Sequence, residues 1–184
     1  MQNSSSRTIE KQLDGKTYQL VAGVWTSGAN LVTGASADEL DKAFFRENYP
    51  TLGDDDVDNL INKAEDAGRF VFAQNLLERA IRDSATRGDG ARAARRLATL
   101  VALKRHQDDP KLAILAFDRW CRELPQSITE SKHMEAAYVC VGAAYVDVKD
   151  YERAEEYLAK AEELAGCEND YIRNVRDRLE REGW

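Results

Sequence analysis

The sequence predicts a mainly α-helical fold, in which three helix hairpins stack in a row behind a small N-terminal β element. Two observations lead to this prediction. From Ser36 onward, every segment with periodic hydrophobicity repeats at the spacing of a helix, and the alternation typical of strands is confined to residues 7–33. Side chains of matching size also recur about every 40 residues in the helical part, which is typical of stacked hairpins.

The N-terminal β element is indicated by alternation and by turn signals. Residues 17–21 alternate with period two and follow Asp14-Gly15, a dipeptide that strongly favours a hairpin turn. A break at Ser27-Gly28 separates two further short apolar stretches, so we expect a β-hairpin or a meander of two or three strands. Because such a sheet is marginally stable alone, we expect it to pack on the helices that follow.

Helix boundaries follow from capping residues. Ser36 and Glu39 predict a capping box at the start of the first helix, because a hydroxyl and a carboxylate three residues apart satisfy free N–H groups. Asp109 and Asp150 precede predicted helix starts, and Gly166 follows a predicted last turn. After the first helix, we expect helices over residues 54–67, 70–84, 91–106, 110–123, 131–148, 151–165 and 168–182.

Seven columns of side chains align across six of these helices. The spacing places each set on one helix face, and small residues such as Gly142 and Ala154 would let two helix backbones approach closely. The alternative is three unrelated amphipathic hairpins. The columns are Val57, Leu97 and Tyr138; Leu60, Leu100 and Val141; Ile61, Val101 and Gly142; Ala64, Lys104 and Tyr145; Ala73, Ala113 and Ala154; Leu77, Phe117 and Leu158; and Ala80, Trp120 and Ala161.

The last of these hairpins resembles a tetratricopeptide repeat (TPR), and the two before it keep the second-helix pattern of that family. The resemblance implies a short right-handed solenoid whose first helices line a concave groove that binds a partner segment. The matching residues are Tyr138, Val141, Gly142 and Tyr145 on the first helix, and Ala154, Leu158 and Ala161 on the second.

A C-terminal capping helix is predicted over residues 168–182. It has one apolar stripe and is otherwise charged, which suits the exposed end of a solenoid. The chain would then comprise a disordered tail (residues 1–6), the β-hairpin or meander with one helix (7–50), and a TPR-like helical repeat domain with its capping helix (51–184).

The same register predicts which side chains would line the groove. The surface would be acidic with amides at one end, carry two arginines in the middle and be apolar at the other end. It would suit an extended or helical partner segment with a basic end, an acidic centre and an apolar end. The predicted groove residues are Asp58, Asn59, Asn62 and Glu65 in the first hairpin, Arg95, Thr99 and Arg105 in the second, and Val139, Cys140 and Val146 in the third.

Composition and charge exclude several classes of protein. The 184 residues are 43% apolar and 32% charged, an ordinary balance for a globular chain. The net charge of −7 argues against nonspecific binding to nucleic acid or anionic lipid. The sequence has no apolar run long enough for a membrane span and no secretory signal. Its three cysteines lack metal-binding spacing and suggest buried thiols. We therefore expect an acidic cytoplasmic protein.

These observations predict a non-enzymatic protein–protein interaction module, a scaffold or adaptor, without a cofactor, a catalytic residue or a metal ligand. The alternative is a regulatory, chaperone-like or immunity-type inhibitor that sequesters one specific protein. The sequence contains none of the common catalytic or phosphate-binding motifs. We leave its oligomeric state open.

Two other kinds of binding remain alternatives. The basic stretch over residues 87–105 could contact nucleic acid, although it lacks interleaved aromatic residues for base stacking. Asp54, Asp56, Asp58 and Glu65 nearly fit a calcium-binding loop. Acidic residues at a helix start need no metal, however, because they cap free N–H groups and favour the positive end of the helix dipole.

Overall fold

A computed structural model describes residues 9–107 and 109–182 of the chain, so the tail predicted over residues 1–6 lies outside the described residues. The chain forms two compact units, which divide between Leu76 and Leu77 within one helix. The structure is mainly helical with a small N-terminal antiparallel sheet, as the sequence predicts.

The described residues form four strands and nine α-helices. The strands are β1 (Ile9–Leu13), β2 (Lys16–Val21), β3 (Val24–Ser27) and β4 (Asn30–Leu31). The helices are α1 (Ala35–Glu47), α2 (Asp54–Asp66), α3 (Phe70–Thr86), α4 (Gly90–His106), α5 (Pro110–Glu123), α6 (Gln126–Thr129), α7 (Glu135–Asp147), α8 (Tyr151–Ala165) and α9 (Asp170–Arg181). Single turns of 3-10 helix lie at Tyr49–Thr51 and Lys132–Met134.

The sheet is an antiparallel meander in the order β1-β2-β3-β4. Asp14 and Gly15, between β1 and β2, form the predicted hairpin turn, and both have the positive φ (50° and 73°) that a type I′ turn requires. The sheet has four strands instead of the predicted two or three, and the strand that the prediction missed is β1. That strand contains Glu10, Lys11 and Gln12, and only its pairing with β2 places these residues in a sheet.

One face of the sheet packs within the first unit. Ile9 pairs with Leu20, and Leu20 with Trp25, so the three side chains share this face, and Trp25 is fully buried. The turn between β2 and β3 lies directly on α2, because a Cβ atom on Gly23 would be 2.7 Å from the Cα atom of Ala64. Only glycine allows this approach, and its φ of 78° also favours glycine.

Polar contacts fix the sheet to the helices of this unit. Trp25 Nε1 donates a hydrogen bond to Asp41 Oδ1 of α1 at 2.8 Å. Arg69, in the turn before α3, donates to the same carboxylate and to the carbonyl oxygen of Gly23, the latter at 3.0 Å. Burial raises the pKa of Asp41, although the hydrogen bond from Trp25 and the charge of Arg69 oppose the shift. The expectation that the sheet packs on the following helices is confirmed.

In the second unit, α4 packs against α5, and α7 packs against α4, α5 and α8. A Cβ atom on Gly142 would lie 3.2 Å from the side chain of Leu158 and 3.4 Å from the carbonyl oxygen of Ala154. This confirms the predicted close approach of α7 and α8. Every residue of the seven predicted columns is buried except Lys104, so each column marks a buried helix face. The stacking of all three hairpins in a solenoid stays a prediction.

Charged side chains attach α9 to the rest of this unit. Its buried apolar residues include Ile172 and Leu179, and the helix packs on α7 and α8. Arg176 donates hydrogen bonds to Glu155 and to Glu162 of α8, each at 2.8 Å. Two kinds of interaction therefore hold α9 against the unit, namely the packing of a few apolar side chains and charge-assisted hydrogen bonds.

Several helix ends differ from the prediction. The predicted capping box at Ser36 is wrong, because Ser36 already lies inside α1. The helix begins at Ala35, and its N-cap is Gly34, which has a φ of 64°. The helix expected over residues 131–148 is shorter, since a 3-10 turn precedes α7 and the short α6 lies before that turn. Asp109 and Asp150 cap α5 and α8 as predicted, accepting backbone hydrogen bonds at 3.2 and 3.3 Å.

Candidate functional site

The predicted groove residues of the second unit lie on α4 and α7, which pack side by side. Arg95 is exposed, and Thr99, Arg105 and Cys140 are partly exposed. We call the surface formed by Arg95, Thr99 and Arg105 the α4 face. Arg95 and Thr99 are about one helical turn apart, and Arg105 lies six residues after Thr99, so the three side chains spread over about 120° of the surface of α4.

Arg105 joins α4 to α7 and α9 through one carboxylate. It donates a hydrogen bond to Asp147 Oδ2, and Arg178 Nη2 donates to Asp147 Oδ1 at 2.6 Å. Burial raises the pKa of Asp147, but hydrogen bonds from Arg105 and Arg178 outweigh it and lower the pKa below its ordinary value. Arg178 Nε also donates to Glu182 Oε1 at 3.2 Å, so the two guanidinium groups here are matched by two carboxylates.

Cys140 lies within the electrostatic reach of Arg105. Burial raises the pKa of its thiol to about 11, and the charge of Arg105 opposes this only in part. The thiol is therefore neutral at pH 7 and has little nucleophilic character. Cys121 and Cys140 are partly buried and Cys167, just after the end of α8, is exposed, so the expectation of buried thiols is wrong for Cys167.

Val139 and Val146 do not belong to an accessible surface, which corrects the prediction of an apolar groove end. Their exposed fractions are 8% and 0%. The register assumed that one face of α7 stays open, but α4, α5, α8 and α9 all pack against this helix. The sequence held a signal for this result, since residues 138–146 contain no charged side chain. A helix that is apolar all round is usually buried.

The predicted groove residues of the first unit lie on α2. Asn59 and Asn62 are exposed, while Asp58 and Glu65 are partly exposed. Burial raises the pKa of Glu65, and the neighbouring charge of Asp66 adds to the shift. These four residues are not equivalent, because Asn59 alone among them lines a cleft between α2 and the sheet.

This cleft has a volume of about 270 Å³ and was not predicted from the sequence. Its lining comes from the start of β1, the end of β2, the turn after β2, the loop before α2 and one face of α2. No local sequence pattern links these segments, so the cleft follows only from the packing of the sheet on α2. The lining residues are Ile9, Leu20, Val21, Ala22, Gly23, Leu52, Asp56, Asn59, Leu60 and Lys63.

The structure excludes a calcium-binding loop at the start of α2. Asp54, Asp56 and Asp58 lie in the first turns of a regular helix, whose N-cap is Gly53. A calcium loop needs an irregular backbone that turns several oxygen atoms toward one point. Across residues 9–107 and 109–182, no group of three or more His, Cys, Asp or Glu side chains is placed to hold a metal ion.

The basic stretch of α4 is partly used inside the protein. Arg96 is buried and donates hydrogen bonds to the carbonyl oxygen of Ala80 at 3.1 Å and to Ser84 Oγ at 2.7 Å. Arg92 pairs with Asp89 at 3.4 Å. These two arginines therefore contribute little to a phosphate-binding surface. The sequence offered no sign that Arg96 is internal, because its neighbours Arg92 and Arg95 are also basic.

No family model matches the chain, and no curated protein or solved structure shows a significant match to it. In the part of the chain that the structure describes, every helix is too short or too polar to cross a membrane. The function must therefore be argued from the surfaces described above.

Proposed function

We propose that this chain is a protein–protein interaction module, a scaffold or adaptor, whose α4 face binds an acidic segment of a partner protein. On the α4 face Arg95 is exposed, whereas Arg105 already pairs with Asp147, so the positive charge available to a partner comes mainly from Arg95. A cation at the rim of an interface contributes mainly to the rate of association and to specificity, and an exposed acidic segment supplies the matching charge.

One observation carries this proposal. Arg105 of α4 donates to Asp147 of α7, and its charge also acts on Cys140 of α7. Arg105 and Cys140, two predicted groove residues, therefore lie close together although they belong to the first helices of two different predicted hairpins, α4 and α7. The resemblance to a TPR requires adjacent first helices of this kind, so the contact supports a shared binding surface on α4 and α7.

The loss of the predicted apolar end changes the expected partner. With Val139 and Val146 buried, the accessible part of the predicted groove in the second unit consists of arginine, threonine and cysteine side chains. The partner segment expected here is therefore polar and acidic. Electrostatic attraction would dominate its binding, which should weaken at high salt.

Site-specific photo-crosslinking tests the proposal. A photoreactive amino acid at Thr99 of the full chain is expected to form covalent adducts with a partner in native extract, because Thr99 lies one helical turn from the exposed Arg95. The same amino acid at Arg122, an exposed position on α5, serves as the matched control. Adducts are separated by electrophoresis and identified by mass spectrometry.

The outcome at the two positions decides the proposal. Adducts formed at Thr99, and lost when Arg95→Glu is introduced, would support binding at the α4 face. Equal adducts at both positions, or adducts at Arg122 only, would contradict it. The number of partners separates the two functional classes, because a sequestering inhibitor should give one dominant adduct and a scaffold several.

A further inference from the structure

The cleft of the first unit has an apolar wall on its sheet side. Ile9 and Leu20 form this wall on the packed face of the sheet, and Leu52, in the loop before α2, adds a partly exposed aliphatic side chain. A volume of about 270 Å³ is slightly below the range of about 300–1,000 Å³ that holds drug-sized molecules. The cleft therefore suits one or two apolar side chains.

The opposite wall is the face of α2 that carries Asp56, Asn59, Leu60 and Lys63. These positions follow the spacing of one helix face, so their side chains lie in a row. Asp56 is exposed and Lys63 is partly exposed. Their Cα atoms are separated by about two turns, roughly 10 Å along the helix axis. The apolar cleft thus has a carboxylate at one rim and an ammonium group at the other.

The position of the cleft favours an extended occupant. It opens beside Ile9, the first described residue of β1, and β1 is an edge strand of the sheet. Edge strands pair readily with extended segments of other chains. In an extended segment every second side chain points to the same face, and positions one and five are about 13 Å apart. Flexible basic and acidic side chains at those positions can span the two rims.

We propose that this cleft binds an extended segment of a partner protein that carries basic, apolar and acidic side chains at alternate positions. The apolar side chain packs against Ile9 and Leu52, the basic side chain pairs with Asp56, and the acidic side chain pairs with Lys63. This inference rests on the proposed interaction function and names the chemistry of one partner segment. It concerns the first unit alone, so its test is separate from crosslinking at Thr99.

Peptide binding to the full chain, followed by NMR of the ¹⁵N-labelled protein, tests the proposal. The probe is the terminally blocked peptide Lys-Ser-Leu-Ser-Glu, and it is expected to shift resonances of β1, β2 and α2. Replacing its leucine with serine should weaken binding about tenfold, because apolar burial is lost. The peptides Lys-Ser-Leu-Ser-Lys and Glu-Ser-Leu-Ser-Glu should each bind about fivefold more weakly, because one ion pair becomes a repulsion.

Charge reversal at the two rims provides a sharper test. Asp56→Lys should make the protein prefer the peptide with two glutamates, and Lys63→Asp should make it prefer the peptide with two lysines. Asp66→Lys is the matched control, because Asp66 is exposed on α2 but does not line the cleft. This control should keep the preference of the unaltered protein for the mixed peptide.

Several results would overturn the proposal. These are absence of binding, equal binding of all four peptides to the unaltered protein, and shifts confined to residues that do not line the cleft. Unchanged preference in folded Asp56→Lys or Lys63→Asp would also overturn it. If a variant fails to fold by circular dichroism, the comparison of the four peptides on the unaltered protein still decides. If the peptides fail to bind but specific adducts form at Thr99, the proposal for the cleft is rejected and the proposed interaction function is retained.

Discussion

Helices α7 and α9 belong to the same unit but are held in place by different forces. α7 is buried along residues 137–146 apart from the partly exposed Cys140, and packing against four other helices holds it. α9 has few buried apolar residues, and its arginines bind carboxylates of α7 and α8. One unit can therefore contain a helix whose stability depends on side-chain volume and another whose stability depends on charge. Mutations that change volume should affect α7, and mutations or pH changes that alter charge should affect α9.

The largest effect is expected from Gly142→Leu. The new side chain would overlap Leu158 and the backbone of Ala154, so it should force α7 away from α8 and cost about 3 kcal/mol in the free energy of unfolding. Urea denaturation followed by circular dichroism measures this change. Glu156→Leu, at an exposed position on α8, is the control and should change stability by less than about 0.5 kcal/mol. Similar losses in both variants would contradict the close packing of α7 on α8.

A smaller and more local effect is expected from Arg176→Ala. The change removes hydrogen bonds to Glu155, Glu162 and Glu168 and leaves three carboxylates facing one another. We expect a loss of about 1–2 kcal/mol, since the charged groups are partly exposed. Hydrogen exchange should accelerate in α9 and stay slow in α7.

The control for this variant is Arg173→Ala. Arg173 is about half exposed and pairs with Glu168 and Asp170 near the start of α9. Removing it should change exchange in α9 only slightly. Equal acceleration in α7 and α9 after Arg176→Ala would show that the two helices unfold together and would contradict the comparison.

The smallest effect is expected from mild acid. The pKa values of Asp147 and Glu168 are both lowered in the folded protein, so their ion pairs contribute stability above the ordinary carboxyl pKa values. This contribution is lost as the pH falls through the lowered values. Below about pH 4, α9 should therefore loosen before α7.

Two-dimensional NMR between pH 7 and pH 3 can follow this order. Asp147→Asn removes one of the titrating groups, so the stability of α9 should depend less on pH in that range. Loss of α7 signals at the same pH as α9 signals would show that charge does not distinguish the two helices.

Local features of the fold were predictable from the sequence. Aspartates at helix starts, the left-handed Gly166 and the Asp14-Gly15 turn each act within a few residues, so the sequence nearby contains the whole signal. The burial of the repeat columns was also predictable, because helical periodicity identifies the apolar face of each helix.

Features that depend on distant segments were not predictable. Arg96 belongs to a basic stretch, but its hydrogen bonds go to Ala80 and Ser84 on another helix. Val146 was assigned to an open face that other helices cover. The cleft brings Ile9 near Lys63, and nothing in either local sequence indicates that contact.

The contact between Arg69 and Gly23 has a consequence during protein synthesis. The two residues are 46 positions apart, and a ribosome adds about 5–20 residues per second. The strands therefore leave the ribosome roughly two to nine seconds before the arginine that anchors them. Helices α1 and α2 leave the ribosome during this delay, but the contacts of Arg69 with Gly23 and Asp41 can form only afterwards. The anchoring of the early strands, whose exposed edges could otherwise pair with other chains, is therefore completed by a later residue of the first unit.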